Sequence, residues 1–529
     1  MVTGLPRCSR PHRSGAVSCA ALAAIAATLS AVTPAAAAER RGSTLPYISE
    51  HVFAVGYHRI AEAYIQPVDM HRLGFDGLKA LRTIDPDVDV QRDEAAVRVY
   101  TSGRPEAVYA SPLPSSAGGW ATLTATAVER LRARSATLRD ASPERIYQAV
   151  FDAVTADLDG YSRYAGAARA TSERAQRDGY GGIGVVLDSM GGRHAVRTVV
   201  PDGPAARHGV RDGDIVVAID DKPVADLDET ALRDRLRGPT GTLVHLTLRR
   251  DDDYSFRRVS IRRERVVPNT VTHAVEAGGV AVITVERFNA ATAARLREAV
   301  AEAVRTMGPA ARGLILDLRG NPGGLLDQAV SVADLFIPHG RIISTEGRHP
   351  DSRQRFDAAS DDVAGGLPLV VLVDGRSASA AEVVAAALQD SGRAVVVGAS
   401  SFGKGSVQTV TRLPNDGELF LTWSRIYTPA GYTLHRQGVQ PVICTSRDPL
   451  DAERLLEDLR EGRARLPAEV SSWRAAAADD ETALNHLRAA CPWKDHAPDL
   501  DVQVARRLLS EPGLYTRALA IASTTVAER

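Results

Sequence analysis

The chain has 529 residues, with 64 Lys and Arg against 65 Asp and Glu, and is 44% hydrophobic and 24% charged. A net balance of -1 gives no electrostatic reason for a polyanionic partner, so no nucleic-acid binding is expected, and the composition excludes a wholly disordered or fibrous chain. At about 150 residues per domain, the length allows roughly three or four domains. Only four of the basic residues are Lys (Lys79, Lys222, Lys404 and Lys494), against 60 Arg. A genome-level drift toward Arg accounts for that ratio. It also makes each remaining Lys worth inspecting, because among these cations only Lys can plausibly lose its proton.

Residues 1–38 carry Arg7, Arg10 and Arg13 without an acid, then an apolar run from Ala16 to Val32, then Ala36-Ala37-Ala38 before Glu39. This is the pattern of a secretory signal peptide with an A-x-A cleavage site. No later stretch reaches the ~18 consecutive apolar residues of a membrane span. The expectation is therefore an exported chain, periplasmic or otherwise extracytoplasmic, with no transmembrane segment after cleavage. A lipoprotein reading through Cys19 fits poorly, since most of the apolar stretch follows that cysteine. Loss of the leader removes Cys8 and Cys19 and leaves Cys444 and Cys491. In an oxidising compartment these two favour one disulfide closing the C-terminal region; two buried free thiols are the alternative.

Residues 39–175 read as a helical N-terminal region with a small insertion. Apolar positions at helical spacing between Tyr47 and Ile84 predict two or three helices. Alternating runs at 96–100 and 107–110 predict a hairpin-like insertion, followed by a helix over 122–139. Ser142, Pro143 and Glu144 supply an N-cap, a first-position proline and a first-turn acid to a further helix through Leu158. Over 176–265 short strands alternate with glycine turns: Gly182-Ile183-Gly184-Val185 opens a strand, 204–210 forms a short helix ending at a glycine, and Asp212-Gly213-Asp214 turns into a strand at 215–219. A helix at 228–236 and a strand at 243–249 complete this unit. Residues 266–450 alternate strands (280–285, 313–318, 369–373, 394–397) with helices (292–307, 325–336, 380–389), which predicts an α/β layer with a mostly parallel sheet. Residues 451–529 are charged helical segments, read as a C-terminal appendage.

Two strand-to-helix turns carry the chemistry. One strand runs through Asp317-Leu318-Arg319 into Gly320-Asn321-Pro322-Gly323-Gly324, and another through Asp374 into Gly375-Arg376-Ser377-Ala378-Ser379. Ligands of parallel sheets bind at the carboxyl ends of strands, where helix N-termini offer unpaired N–H groups. Side by side, the two turns would form an oxyanion hole from the Ala380 N–H and that of Gly323 or Gly324, with Ser379 on a sharp turn in the manner of a hydrolase nucleophile. Ser379-x-x-Glu382 also reads as a capping box that serves only the helix.

A serine nucleophile needs a base, and no His lies in a recognisable triad motif. Lys404, in Ser401-Phe402-Gly403-Lys404-Gly405-Ser406-Val407-Gln408, sits between glycines in an apolar setting. Burial would disfavour its charged form and bring a pKa of about 10.4 toward neutrality. Gln408, four residues on, shares a face with Lys404 and can hold the amine by hydrogen bonding. A phosphate-binding loop is excluded by spacing, since Gly405 follows Lys404 where G-x-x-x-x-G-K-[ST] requires Ser or Thr. There is no H-E-x-x-H and no paired Cys/His cluster, so neither a metal nor another cofactor is expected.

The unit at 176–265 resembles a PDZ domain through Gly182-Ile183-Gly184 followed by the run from Asp202 to Ile215. The resemblance implies that the Gly182, Ile183 and Gly184 backbone receives the C-terminal carboxylate of a peptide, which adds as a strand to the sheet edge. Ser377-Ala378-Ser379-Ala380-Ala381-Glu382, Ala387-Leu388-Gln389-Asp390, the 402–408 and 317–324 segments, and Tyr427-Thr428-Pro429-Ala430-Gly431 resemble the carboxyl-terminal processing peptidases, or tail-specific proteases. Leu158-Asp159-Gly160-Tyr161-Ser162-Arg163-Tyr164 does too, with Gly160 where Pro is usual.

This second resemblance implies an α/β peptidase core of mostly parallel sheet with flanking helices, an inserted PDZ-like domain and a helical N-terminal region. It implies an exported serine endopeptidase that cleaves proteins near their C-terminal tails through an acyl-enzyme. Ser379 rather than Ser377 would be the nucleophile, Lys404 the general base and Gln408 its orienting partner. The partners implied are proteins or peptides with exposed C-termini, and a homodimer or an adaptor. The insertion between Ile84 and Ser142 and the region after Leu450 depart from the family's usual layout. The rival reading is a non-catalytic PDZ-containing scaffold or assembly factor; loss of Ser379, Lys404 or the 321–324 turn would have favoured it. Arg237, near the return into the peptidase part, reads either as a gating contact or as one exposed Arg among many.

Overall fold

The computed structural model describes residues 48–250, 255–447, 451–462, 472–477, 479–493 and 498–523. The expected signal peptide and Lys494 lie outside the described residues. At the centre is a six-stranded sheet in the order Val271–Glu276, Val280–Val285, Gly313–Asp317, Leu369–Val373, Val395–Gly398, Ile443–Cys444. The first pair is antiparallel and every later pair is parallel. Helices Thr292–Met307, Leu326–Asp334 and Ala380–Asp390 pack on one face through Leu296, Val300, Val332 and Val384, against Leu316 and Val371.

The other face presents Ile315, Val370, Leu372, Val395 and Val397 to Leu456, Leu459, Val504, Leu508 and Leu514. Those partners come from helices Ala452–Arg460, Pro498–Ser510 and Pro512–Ser523, so the segment read as an appendage supplies the sheet's second helical layer. Burial on both faces explains why Leu369–Val373 is an unbroken apolar run in which every residue is buried.

Around Phe53, Tyr57, Trp120 and Phe151, all fully buried, the N-terminal helices enclose a second core. The helix expected over 122–139 is in fact two, Ala117–Arg132 and Ala136–Asp140. Ser135 ends the run because its Oγ accepts the Leu138 N–H at 2.9 Å and caps the second helix. The insertion is three-stranded rather than a hairpin. Strand Val88–Arg92, whose Val88 and Val90 face inward between charged neighbours, joins Ala96–Thr101 and Arg104–Ala110.

The PDZ-like sheet runs Phe256–Arg262, Leu243–Arg249, Ile215–Ile219, Arg193–Val199, Val185–Met190, with the last strand at an edge. The chain enters and leaves this unit through an antiparallel pair, Tyr180–Gly182 with Glu264–Val266. Another sheet carries Ser406–Arg412 and Glu418–Tyr427, on which Arg163–Ala165 pairs. Among the described residues no helix is long and apolar enough to cross a membrane.

Candidate active site

Strands Gly313–Asp317 and Leu369–Val373 are parallel neighbours, so the turns at their carboxyl ends lie side by side. Buried Asn321 ties them together: Nδ2 donates to Val285 O at 2.6 Å, Oδ1 accepts the Gly323 N–H at 2.8 Å, and its carbonyl accepts the Ala378 N–H at 2.9 Å. The two serines that follow differ in environment. Ser377 is fully buried, with Oγ donating to Leu318 O and accepting the Asp374 N–H, each at 2.9 Å. Ser379 instead lines a cavity of about 430 Å³ and holds φ at +55°, a left-handed conformation that costs a non-glycine residue of order 1–3 kcal/mol.

Gly323 packs directly against this turn. A Cβ there would lie 2.8 Å from Ser379 Cβ and 3.0 Å from Ala380 N. Its own N–H is occupied by Asn321, whereas its carbonyl accepts the Phe288 N–H at 3.0 Å. Because the peptide is planar and trans, the Gly324 N–H on the far side of that carbonyl points away from Phe288. Neither the Gly324 nor the Ala380 N–H has an acceptor among the described residues, and both residues line the cavity.

Glu382 does far more than cap a helix. Its Oε2 accepts the Ser379 N–H at 2.7 Å and the Lys404 N–H at 2.9 Å; its Oε1 accepts the Gly403 N–H and the Ser401 hydroxyl, both at 2.6 Å. Burial pushes this carboxyl above the ordinary glutamate range, and the four hydrogen bonds oppose that rise. In the sequence, Glu382 was marked by capping-box spacing and by its place at the end of the Ser377–Glu382 motif, and neither signal pointed to the 401–404 segment. The long-range half of its role depends on segment 401–404 folding back onto the helix start.

Lys404 is half-buried, whereas Lys79 and Lys222 are exposed. Its Nζ lies 5.5 Å from the Tyr161 ring centroid and has no hydrogen-bond or ion-pair partner among the described residues. Burial lowers the pKa of the amine, the charge of Arg163 lowers it further, and Glu382 and Asp159 act in the opposite direction. Arg163 lines the same cavity, stacked 3.7 Å over the Phe420 ring and bonded through Nη2 to Glu173 at 2.6 Å. It belongs to the 158–164 motif, where Asp159 Oδ1 accepts the Tyr161 and Ser162 N–H groups at 2.7 Å each; Gly160 has open space around it, so this turn does not require a glycine.

Gln408 reaches the cavity but does not hold the lysine. Its Nε2 donates to Ser406 Oγ at 2.9 Å, because Lys404 precedes strand Ser406–Arg412 and the ladder shifts register between Val407 and Gln408. Both side chains line the cavity, but no hydrogen bond joins them.

A second cavity of about 230 Å³ lies between edge strand Val185–Met190 and helix Glu229–Leu236, lined by Gly182, Ile183 and Gly184. The Ile183 and Gly184 carbonyls accept the Ala205 and Val200 N–H groups at 2.8 and 2.9 Å, so the N–H groups of Gly184 and Val185 face the opposite way. Arg237 is half-buried here, its guanidinium 4.0 Å from the Tyr180 ring centroid. Cys444 and Cys491 form a disulfide with Cα atoms 5.7 Å apart.

These two cavities correspond to two known families. Residues 279–444 match peptidase family S41 and residues 196–250 match the PDZ domain, which defines the class as a serine peptidase carrying a PDZ domain. A carboxy-terminal-processing protease of Bartonella bacilliformis is 35% identical over 384 residues, covering 72% of this chain and 86% of the relative. The carboxy-terminal processing protease CtpA of Bacillus subtilis is 31% identical over 286 residues, 54% of this chain and 60% of the relative. A photosystem II D1 C-terminal processing protease of known structure aligns over 74% of this chain and 92% of its own, with 25% identity and a TM-score of 0.36. The chain belongs to the carboxy-terminal-processing proteases of peptidase family S41.

Proposed function

We propose that this peptidase is exported and cleaves proteins near their C-terminal tails with a Ser379–Lys404 dyad. The observation that supports the dyad best is that both side chains line one cavity while their backbones are held by the same buried carboxylate, Glu382. A substrate tail adds as a strand along Val185–Met190, with its carboxylate at the Gly184 and Val185 N–H groups. Neutral Lys404 takes the Ser379 Oγ proton as that oxygen attacks the scissile carbonyl.

The oxyanion then rests between the Ala380 and Gly324 N–H groups; Gly324 serves rather than Gly323, whose N–H is already taken by Asn321. The Lys404 ammonium returns its proton to the leaving amine. Water, deprotonated by the same lysine, releases the acyl group from Ser379. Gln408 orients the amine once its amide turns from Ser406 toward Lys404. Export is supported by the leader pattern at residues 1–38 and by the Cys444–Cys491 pairing.

The test is turnover of an unstructured, tailed protein by Ser379→Ala and Lys404→Arg, the latter keeping the charge without supplying a base. Loss of turnover in both, with labelling by a serine-directed reagent abolished in Ser379→Ala, is the expected result. Near-normal cleavage by Lys404→Arg would sink the dyad.

A further inference from the structure

Helix Glu481–Ala490 lies outside the residues that match the peptidase family, yet it touches the loop carrying Lys404. Arg488 Nη2 donates to Arg436 O at 2.5 Å, and lies 3.3 Å from Phe402 O and 3.4 Å from Gln437 O. A Cβ on Gly403 would come within 2.6 Å of the same nitrogen, so a side chain there would push the guanidinium from its place. The Arg436 N–H donates in turn to Gly403 O at 2.8 Å, which pairs segment 402–404 with 436–437. The lysine loop is therefore gripped from two sides: Glu382 takes its N–H groups, and Arg488 gathers carbonyls of the loop and of the strand-like segment behind it. Burial lowers the pKa of the Arg488 guanidinium, while attraction to Glu382 raises it.

The helix end that carries Arg488 is itself fixed. Cys491, three residues on, is bonded to Cys444 at the end of the last core strand, Ile443–Cys444, and its carbonyl accepts the Ser400 hydroxyl at 2.6 Å. Three residues span less than one helical turn, so anchoring Cys491 leaves Arg488 little freedom of position.

We propose that Arg488, registered by the Cys444–Cys491 disulfide, is a positioning residue that holds the 402–404 backbone so that the Lys404 amine faces Ser379. The inference rests on the reading of Lys404 as the base. Arg488 touches no reacting atom; it acts through the loop, and a displacement of about 1 Å in a reacting group costs up to roughly 10²-fold in rate.

The test compares Arg488→Met, Arg488→Lys and the double variant Cys444→Ala/Cys491→Ala in the full chain. It measures kcat and KM on unfolded casein, and binding of a fluorescent peptide with a free apolar C-terminus. Arg488→Met should lower kcat by ~10- to 100-fold with KM and peptide binding within about twofold, Arg488→Lys should recover part of the loss, and the cysteine variant should lower kcat by a smaller factor. Unchanged kcat in Arg488→Met, or a fall in kcat matched by loss of peptide binding, would overturn the proposal. Should Arg488→Met not fold, the cysteine variant decides, and normal kcat in it has the same force. Normal turnover by Lys404→Arg would instead remove the base reading, whatever Arg488 does.

Discussion

The two clefts of this molecule are built from opposite materials. The cavity lined by Ser379 and Lys404 depends on buried polar side chains with assigned partners: Asn321, Ser377 and Glu382 have no exposed surface and lock two turns and a loop into one arrangement. The PDZ-like groove depends on an edge strand, its outward N–H groups and apolar side chains such as Leu187 and Leu232. A backbone edge accepts many sequences, because every peptide offers the same carbonyls and amides, whereas a reacting centre tolerates little displacement. On the proposed function, binding breadth and chemical precision belong to separate places in one chain.

Substitutions should separate the two clefts by which constant they change. The largest effects belong to the dyad: Ser379→Ala and Lys404→Arg should each lower kcat by roughly 10⁴-fold or more, with affinity for tail peptides unchanged by fluorescence. Glu382→Gln comes next. It turns an amide NH₂ toward backbone donors, which should cost about 1–3 kcal/mol in the denaturant midpoint, accompanied by a ~10²-fold fall in kcat. In the other cleft, Leu187→Asp should raise KM for tailed substrates by about tenfold, equivalent to about 1.4 kcal/mol, with kcat unaltered; a kcat defect there would contradict the division of labour.

Smaller still is a pH effect. As the proposed base, Lys404 acts when neutral, so activity rises with pH through its pKa, which the Arg163 charge helps hold down. Arg163→Gln should therefore move the acidic limb of kcat/KM to higher pH, and a limb displaced to lower pH would contradict this sign. The smallest change is expected from Ser377→Ala, which loses the hydroxyl's bonds to Leu318 O and to Asp374 at a cost of about 1–2 kcal/mol of stability, with kcat within a few-fold of normal.

Much of the peptidase part was legible in the residues themselves. Helix Thr292–Met307 and strand Leu369–Val373 fall where apolar periodicity puts them, because both are long, uninterrupted patterns ending at glycine or acid. The side-by-side placement of the 317–324 and 374–379 turns was legible, since both follow strands of one parallel sheet that prove to be neighbours. What escaped were relations between distant segments. The four partners of Glu382, the engagement of Gly323 by Asn321 and of Gln408 by Ser406, and the reach of Arg488 to the lysine loop depend on tertiary placement that local spacing does not encode. Strand Val88–Arg92 escaped for a local reason: its two inward valines alternate with charged and polar residues that look like a loop.

The packing of helix Pro512–Ser523 sets what it costs to free that segment from the core. Helix Pro512–Ser523 lies against the sheet with Leu514, Tyr515 and Ala518 buried, and the Tyr515 hydroxyl bonds the Leu369 backbone. To offer this segment as an extended strand to another copy's groove, the molecule would have to unwind the helix and return those side chains to water, at about 25 cal/mol for each Å² exposed. The same residues that finish the sheet's second face thus set the cost of freeing this segment, because water would have to reach that face as the helix leaves it.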